Sequence, residues 1–235
     1  MAETVHYNWR RSPRAKTLQV RITPWKGVEV VIPRHTSKDR VRAFLTRHRH
    51  WIRDTWQRLR AQVPDIELQL PRTLDLRASG ECWHVSYRRN EGRHIRVTTG
   101  KDHTLTVFHN GHDESAIRRA LRRWLATRAR AVLTPRVDRL CVMTGLAYRK
   151  IQIRGQRSRW GSCSSNKTLS LNYKLLFLDP AVVRYLIIHE LSHLRVLDHS
   201  ARFWSVVEQY EPRWRQLDRQ LEECWQHIPA WVEIP

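Results

Sequence analysis

Long apolar runs are missing from this chain of 235 residues: no stretch of eighteen consecutive apolar residues occurs. That excludes a bilayer-spanning helix, which needs about twenty. Glycine and proline are sparse, 8 and 10 residues without any period, which excludes collagen-like and low-complexity chains. Cysteine is sparse too. The four present (Cys82, Cys141, Cys163, Cys224) lie far apart and form no CxxC pair. Free thiols in a reducing compartment fit that pattern better than a disulfide framework or a cysteine-based zinc knuckle. The first twenty residues hold no apolar h-region and no small-residue cleavage site, so no secretory signal is expected. These absences lead us to expect a soluble, cytoplasmic protein with no membrane partner.

Acidic residues are also scarce, 22 against 43 Lys and Arg, for a formal charge of +21. The excess is localised. Residues 1–60 carry +11 and residues 115–160 carry +12, whereas the chain from Pro180 onward carries −2. A concentrated positive field attracts phosphates by Coulomb force and counterion release, and most of these cations are arginines, whose planar fork suits phosphate. Segments 1–60 and 115–160 are therefore candidate contacts for nucleic acid. A solvated arginine-rich surface gives the same arithmetic.

Hydrophobic residues make up 41% of the sequence, enough for a core. Leu18–Thr23 and Val28–Ile32, separated by Pro24 and Gly27, read as a β-hairpin. Thr36 or Ser37 can cap a helix in which Val41, Phe44, Leu45, His48, Ile52, Trp56 and Leu59 recur at helical spacing. Short runs from Leu74 to Phe108, broken by Gly80, Asn90–Gly92 and Gly100–Lys101, suggest an antiparallel meander. Asp113 can cap a second long helix that Pro135 ends or kinks, with another turn or two to Gly145. Strands at Ile151–Ile153 and Leu169–Leu175 flank a polar loop. Asp179-Pro180 opens a helix over AVVRYLIIHELSHL, Ser200 caps the next, and Pro212 starts the last, through Cys224. The order is α+β, with an N-terminal region over 1–112 and a second domain over 113–235. The tryptophans at helical positions (Trp51, Trp56, Trp124, Trp204, Trp214) are expected to pack rather than to stack on bases.

The chemistry sits in His189-Glu190-Leu191-Ser192-His193. On a helix, residues four apart lie about one turn apart on one face, so both imidazoles can reach one metal ion. Glu190 flanks that face, where a carboxylate can take a proton from water activated by the metal without being a ligand. Val183, Leu186, Ile187, Ile188, Leu191 and Leu194 make the helix apolar on most sides, so it must be buried; unligated imidazoles there would be unsatisfied. His199, six residues past His193, is the expected third ligand, with Asp198 and Glu208 as weaker candidates. The H-E-x-x-H-x5-H spacing also occurs in metzincins, but Val196 stands where those have a glycine and no methionine follows. Leu169–Lys174 is a candidate sheet edge for substrate backbone, with an interior strand as the alternative. Cys163 reads as a structural thiol rather than a cysteine switch. Tyr173 and Tyr185 are conceivable oxyanion donors that nothing in the sequence positions.

Three motifs together carry a resemblance. Ser158-Arg159-Trp160-Gly161-Ser162-Cys163-Ser164, Leu169-Ser170-Leu171-Asn172, and HELSHLRVLDHSARFW from His189 to Trp204 resemble the YgjP-like metallopeptidases, relatives of SprT-like and minigluzincin-type proteases. RRSPRAKTLQVRI and RHRHWI also match how such proteins begin; Ser192 and Asp198 depart from the common residues without touching the ligand set. The resemblance implies a zincin-like C-terminal unit of small sheet plus HExxH helix. It implies zinc on His189, His193 and His199, with Glu190 as catalytic base and a peptide or protein substrate. Arg159, Trp160, Leu171 and Asn172 are candidate cleft residues. Two further functions stay open: a peptidase acting on nucleic-acid-associated proteins, and a nucleic-acid-binding protein with a structural or vestigial zinc site. The carboxylate beside the ligands favours the enzyme, because a closed structural zinc activates no water.

Overall fold

The computed structural model describes residues 7–13, 15, 17–23, 27–61, 69–92, 94–111 and 114–233. It is a mixed α+β chain that divides into two compact units, one of residues 1–70 with 229–234 and one built on 71–228.

The first unit holds β1 (Tyr7–Ser12), β2 (Gln19–Thr23), β3 (Gly27–Pro33) and α1 (Lys38–Ala61). Strands β2 and β3 form the expected antiparallel hairpin, Val20 opposite Val30 and Ile22 opposite Val28. Strand β1 then pairs parallel to the far side of β3, which the sequence does not announce because YNWRRS has no apolar alternation. Val28, Val30 and Ile32 point one way, onto Val41, Ile52 and Trp56 of α1, and close the small core. Ser37 supplies the cap: its Oγ accepts the Arg40 amide at 3.3 Å. Trp51, by contrast with the packing expected of it, is 55% exposed.

The second unit opens with β4 (Thr73–Leu76), β5 (Glu81–Arg89), β6 (Arg96–Thr99) and β7 (Thr104–His109). The order is β4-β5-β7-β6, and β5 runs parallel to β7. The sheet is thus not the simple meander that closely spaced turns suggest, because β6 is displaced to an edge. Leu74, Leu76, Trp83, Val85, Leu105 and Val107 fill one face. Helix α2 (Glu114–Thr144) buries Ile117, Leu121, Leu125, Ala129, Leu133, Val137 and Leu140, a stripe at three- and four-residue steps. Asp113, its expected cap, lies outside the described residues. The helix runs through Pro135 because the stripe continues on both sides of it. It stops at Thr144, where Gly145 takes φ 68° and its amide reaches the Cys141 carbonyl.

The sequence suggests a boundary at 112/113, but the four-stranded sheet lies in the same compact unit as the histidine helix. The links are specific. The Ala78 amide donates to Leu176 O at 3.0 Å, Arg136 donates to Ala78 O, Arg128 pairs with Glu81, and Arg77 pairs with Asp179 at 2.8 Å. Leu133 is fully buried in α2. Leu133→Ala is expected to cost about 2–5 kcal/mol, read as a lower denaturant midpoint with no change in m.

The third sheet carries β8 (Lys150–Arg154), β9 (Gly161–Cys163) and β10 (Thr168–Asn172) in the order β8-β10-β9. A 3-10 turn (Tyr173–Phe177) leads to α3 (Pro180–Ser192), then α4 (Ala201–Tyr210), α5 (Trp214–Glu223) and, after a second 3-10 turn, α6 (Ala230–Glu233). Pro180 sits at the start of α3 as expected, but the Asp179 carboxylate turns to Arg77 instead of capping. All four cysteines are free. No helix among the described residues is long and apolar enough to cross a membrane.

Candidate metal centre

Helix α3 is buried on most of its surface, through Val182, Val183, Tyr185, Leu186, Ile187, Ile188 and Leu191. Such a helix cannot roll without exposing apolar area, so the direction of its polar side chains is fixed by packing. His189 lies in its last turn and His193 at its C-cap. The chain then turns through Val196, whose carbonyl is 3.0 Å from His193 Nδ1, and delivers His199 just before α4. His189, His193 and His199 each offer one ring nitrogen, and these nitrogens all lie within 4.8 Å of one another. Fully buried Phe203 of α4 braces the group, stacked on the His193 ring at 4.4 Å and lying 4.8 Å from His199.

Tetrahedral zinc holds imidazole nitrogens at about 2.0–2.1 Å, which sets nitrogen pairs about 3.4 Å apart. His189 Nε2 and His199 Nε2 are 3.2 Å apart, so the residues present fit such an ion. The protonation of His189 and His193 fits it as well. Burial holds His189 far below the ordinary histidine range, to about 3, with the neighbouring imidazoles adding to the effect; burial and His199 also lower His193. Neutral imidazole is the ligand form. Asp198 and Glu208 are engaged elsewhere, the first accepting the Ser200 amide at 3.1 Å and the second pairing with Arg215 at 2.8 Å.

Glu190 is 5% exposed and does not belong to the nitrogen cluster. Its carboxylate faces β9: a Cβ on Gly161 would fall 2.7 Å from Glu190 Oε1, and the Cys163 amide donates to the carboxylate. Burial raises its pKa to about 8, against the Cys163 amide and the Arg159 guanidinium, which both lower it. Cys163 is pushed up to about 11, by burial first and by Glu190 second, so it is a protonated thiol at neutral pH.

The expected cleft residues part company. Arg159 is exposed and within electrostatic reach of Glu190. Trp160 is buried, its ring stacked on Trp225 at 4.0 Å. Leu171 and Asn172 are wholly buried, and Asn172 Nδ2 donates to Gln156 O at 2.8 Å and Arg159 O at 2.9 Å. These three shape the 155–161 loop from inside rather than line a cleft. Strand β10, a candidate edge, is the central strand, because β8 and β9 pair on either side of it. The edge beside Glu190 is β9, which grows from within the segment read as a polar loop. Neither tyrosine stands as a free oxyanion donor. Tyr173 is packed against Gly155, and the Tyr185 hydroxyl donates to Asp218 Oδ1 at 2.7 Å. Asp218 has no motif around it in sequence; only the pairing of α5 with α3 brings it here.

The family model for the YgjP-like metallopeptidase domain matches residues 16–224. The chain belongs to this family. Among solved structures, the metallopeptidase zymogen abylysin of Pyrococcus abyssi is similar at 24% identity over 40% of this chain and 94% of that one, with a TM-score of 0.37. The zymogen jannalysin of Methanocaldococcus jannaschii is similar at 21% identity over 38% and 92%, with a TM-score of 0.35. No curated protein matches. Membership in a metallopeptidase family implies a metal, typically zinc, and peptide or protein substrates.

Proposed function

We propose that the chain is a zincin-like, zinc-dependent endopeptidase in which His189, His193 and His199 hold the ion and Glu190 is the catalytic base. The observation that carries this reading is the pairing of a three-nitrogen cluster with a separate, buried carboxylate one residue from its first ligand. A structural site has no use for that carboxylate. Zinc, when bound, supplies a Lewis acid that lets water act as a nucleophile near neutral pH. Glu190 takes the proton of the attacking water and returns it to the leaving amine. Burial supports that role, since it keeps bulk water away from the carboxylate. The β9 edge offers backbone to an extended peptide, giving affinity with little sequence choice.

The reading as a nucleic-acid-binding protein rests on charge alone, and part of the charge over 115–160 is already engaged. Arg118 pairs with Glu114, Arg128 with Glu81, and Arg136 donates to Ala78 O. The peptidase reading is the stronger.

The test is zinc content and casein cleavage on the full chain, with and without DNA. The protein is expected to hold about one zinc per chain, to lose cleavage when a chelator strips the metal, and to regain it on adding zinc back. Zinc without cleavage of casein or a peptide library would overturn the endopeptidase reading. Stimulation by DNA would assign nucleic-acid-associated proteins as substrates.

A further inference from the structure

We infer that Tyr185 and Asp218 form a positioning pair that locks His189 into its Nδ1–H tautomer, leaving Nε2 bare for the metal. The inference rests on the zinc-site reading above and deepens it.

Tyr185 stands one turn before His189 on α3 and is fully buried. Its hydroxyl lies 2.7 Å from Asp218 Oδ1 and 3.4 Å from His189 Nδ1. Hydrogen counting then fixes the direction of each contact. An ionised carboxylate only accepts, so the single phenol proton goes to Asp218. The phenol oxygen has lone pairs left and no further proton, so toward His189 it can only accept. The hydrogen in that contact has to be the imidazole's own, on Nδ1. A neutral imidazole carries one N–H, hence Nε2 has a free lone pair. Nε2 is the nitrogen that sits 3.2 Å from His199 Nε2, inside the cluster.

His193 reaches the same end by a shorter route, with its Nδ1 turned to the Val196 carbonyl, which also only accepts. His189 lies in the last turn of α3, and the partner its Nδ1 meets is a side chain, the Tyr185 hydroxyl. A tyrosine is an acceptor there only when something else takes its proton. Asp218, brought from α5, does so. Without Asp218 the phenol is free to donate to His189 Nδ1, which drives the imidazole proton onto Nε2 and blocks the metal position.

The test measures zinc affinity by chelator competition on the full chain, and the His189 tautomer by long-range nitrogen–proton NMR of the zinc-free protein. The variants are Tyr185→Phe, Asp218→Ala and Asp218→Asn. Tyr185→Phe and Asp218→Ala are expected to bind zinc roughly 10- to 100-fold more weakly. Asp218→Asn keeps an oxygen to accept the phenol proton and is expected to stay close to wild type. His189 is expected as Nδ1–H in wild type and Asp218→Asn, and to gain Nε2–H in Asp218→Ala. A purely structural role for the pair would not move the tautomer. Equal zinc affinity in all four proteins, or Asp218→Asn falling with Asp218→Ala, would overturn the inference. Absence of zinc binding in wild type would overturn the metal reading itself, so the two failures are distinguishable.

Discussion

Glu190→Gln is expected to lower kcat/KM for peptide cleavage by roughly 10²–10⁴-fold while zinc content stays at the wild-type level. The substitution is nearly isosteric, and the Gln oxygen can still accept the Cys163 amide that holds the carboxylate. What is lost is the site that receives the proton. Glu190 contributes no atom to the nitrogen cluster, so the ion's holders are untouched. Thermal stability should not fall, because burial disfavours the charged form of the wild-type carboxyl and raises its pKa to about 8. Removing an ionisable group from such a place relieves that cost. Parallel loss of zinc and of activity would mean that the carboxylate acts on the metal site's structure instead, and unchanged activity would remove it from the mechanism.

The parts of this molecule that sequence makes legible are those whose cause is local. Ser37, the β2–β3 hairpin, Pro180 at the start of α3 and the four-residue interval between His189 and His193 each depend on neighbours a few positions away. His199 is nearly as local, one turn beyond His193 through the Val196 carbonyl. What sequence hides is pairing between segments. Strand β1 carries no alternation because it is an edge whose side chains are mostly exposed. Strand β9 is only three residues, Gly161-Ser162-Cys163, none with a strong β preference except through its partners Leu169, Ser170 and Leu171. The β5–β7 parallel pair skips over β6, and a run of short strands with turns between them reads as a meander in either case. In the site, the contacts of Asp218 and Gly161 are hidden for the same reason: the atoms they meet belong to α3, far along the chain. The SRWGSCS motif did signal the loop that matters, but the residues expected to face substrate, Trp160 and Asn172, are the ones that hold the loop from within.

Gly161→Ala is expected to lower kcat by on the order of 10²-fold with zinc content and melting temperature nearly unchanged. Backbone strain is not the cause, since Gly161 has no left-handed φ and alanine can adopt its conformation. The cause is contact. A Cβ at this position would lie 2.7 Å from Glu190 Oε1, 2.8 Å from Cγ and 3.0 Å from Cδ, closer than non-bonded atoms tolerate. All three nearest atoms belong to one flexible side chain, so the conflict is relieved by moving the carboxylate rather than the sheet. That makes the stability cost small and the functional cost large, because a base displaced by about 1 Å no longer meets the proton it must take. The same displacement pulls the carboxylate from the Cys163 amide, so the pH dependence of kcat should shift as well. The measurement is kcat, zinc content and melting temperature on the same preparation. A large fall in melting temperature would show that β9 cannot yield locally, and an unchanged kcat would show that the carboxylate has room to work from a second position. Glycine at 161 is thus needed less for the turn of the chain than for the space it leaves beside the base.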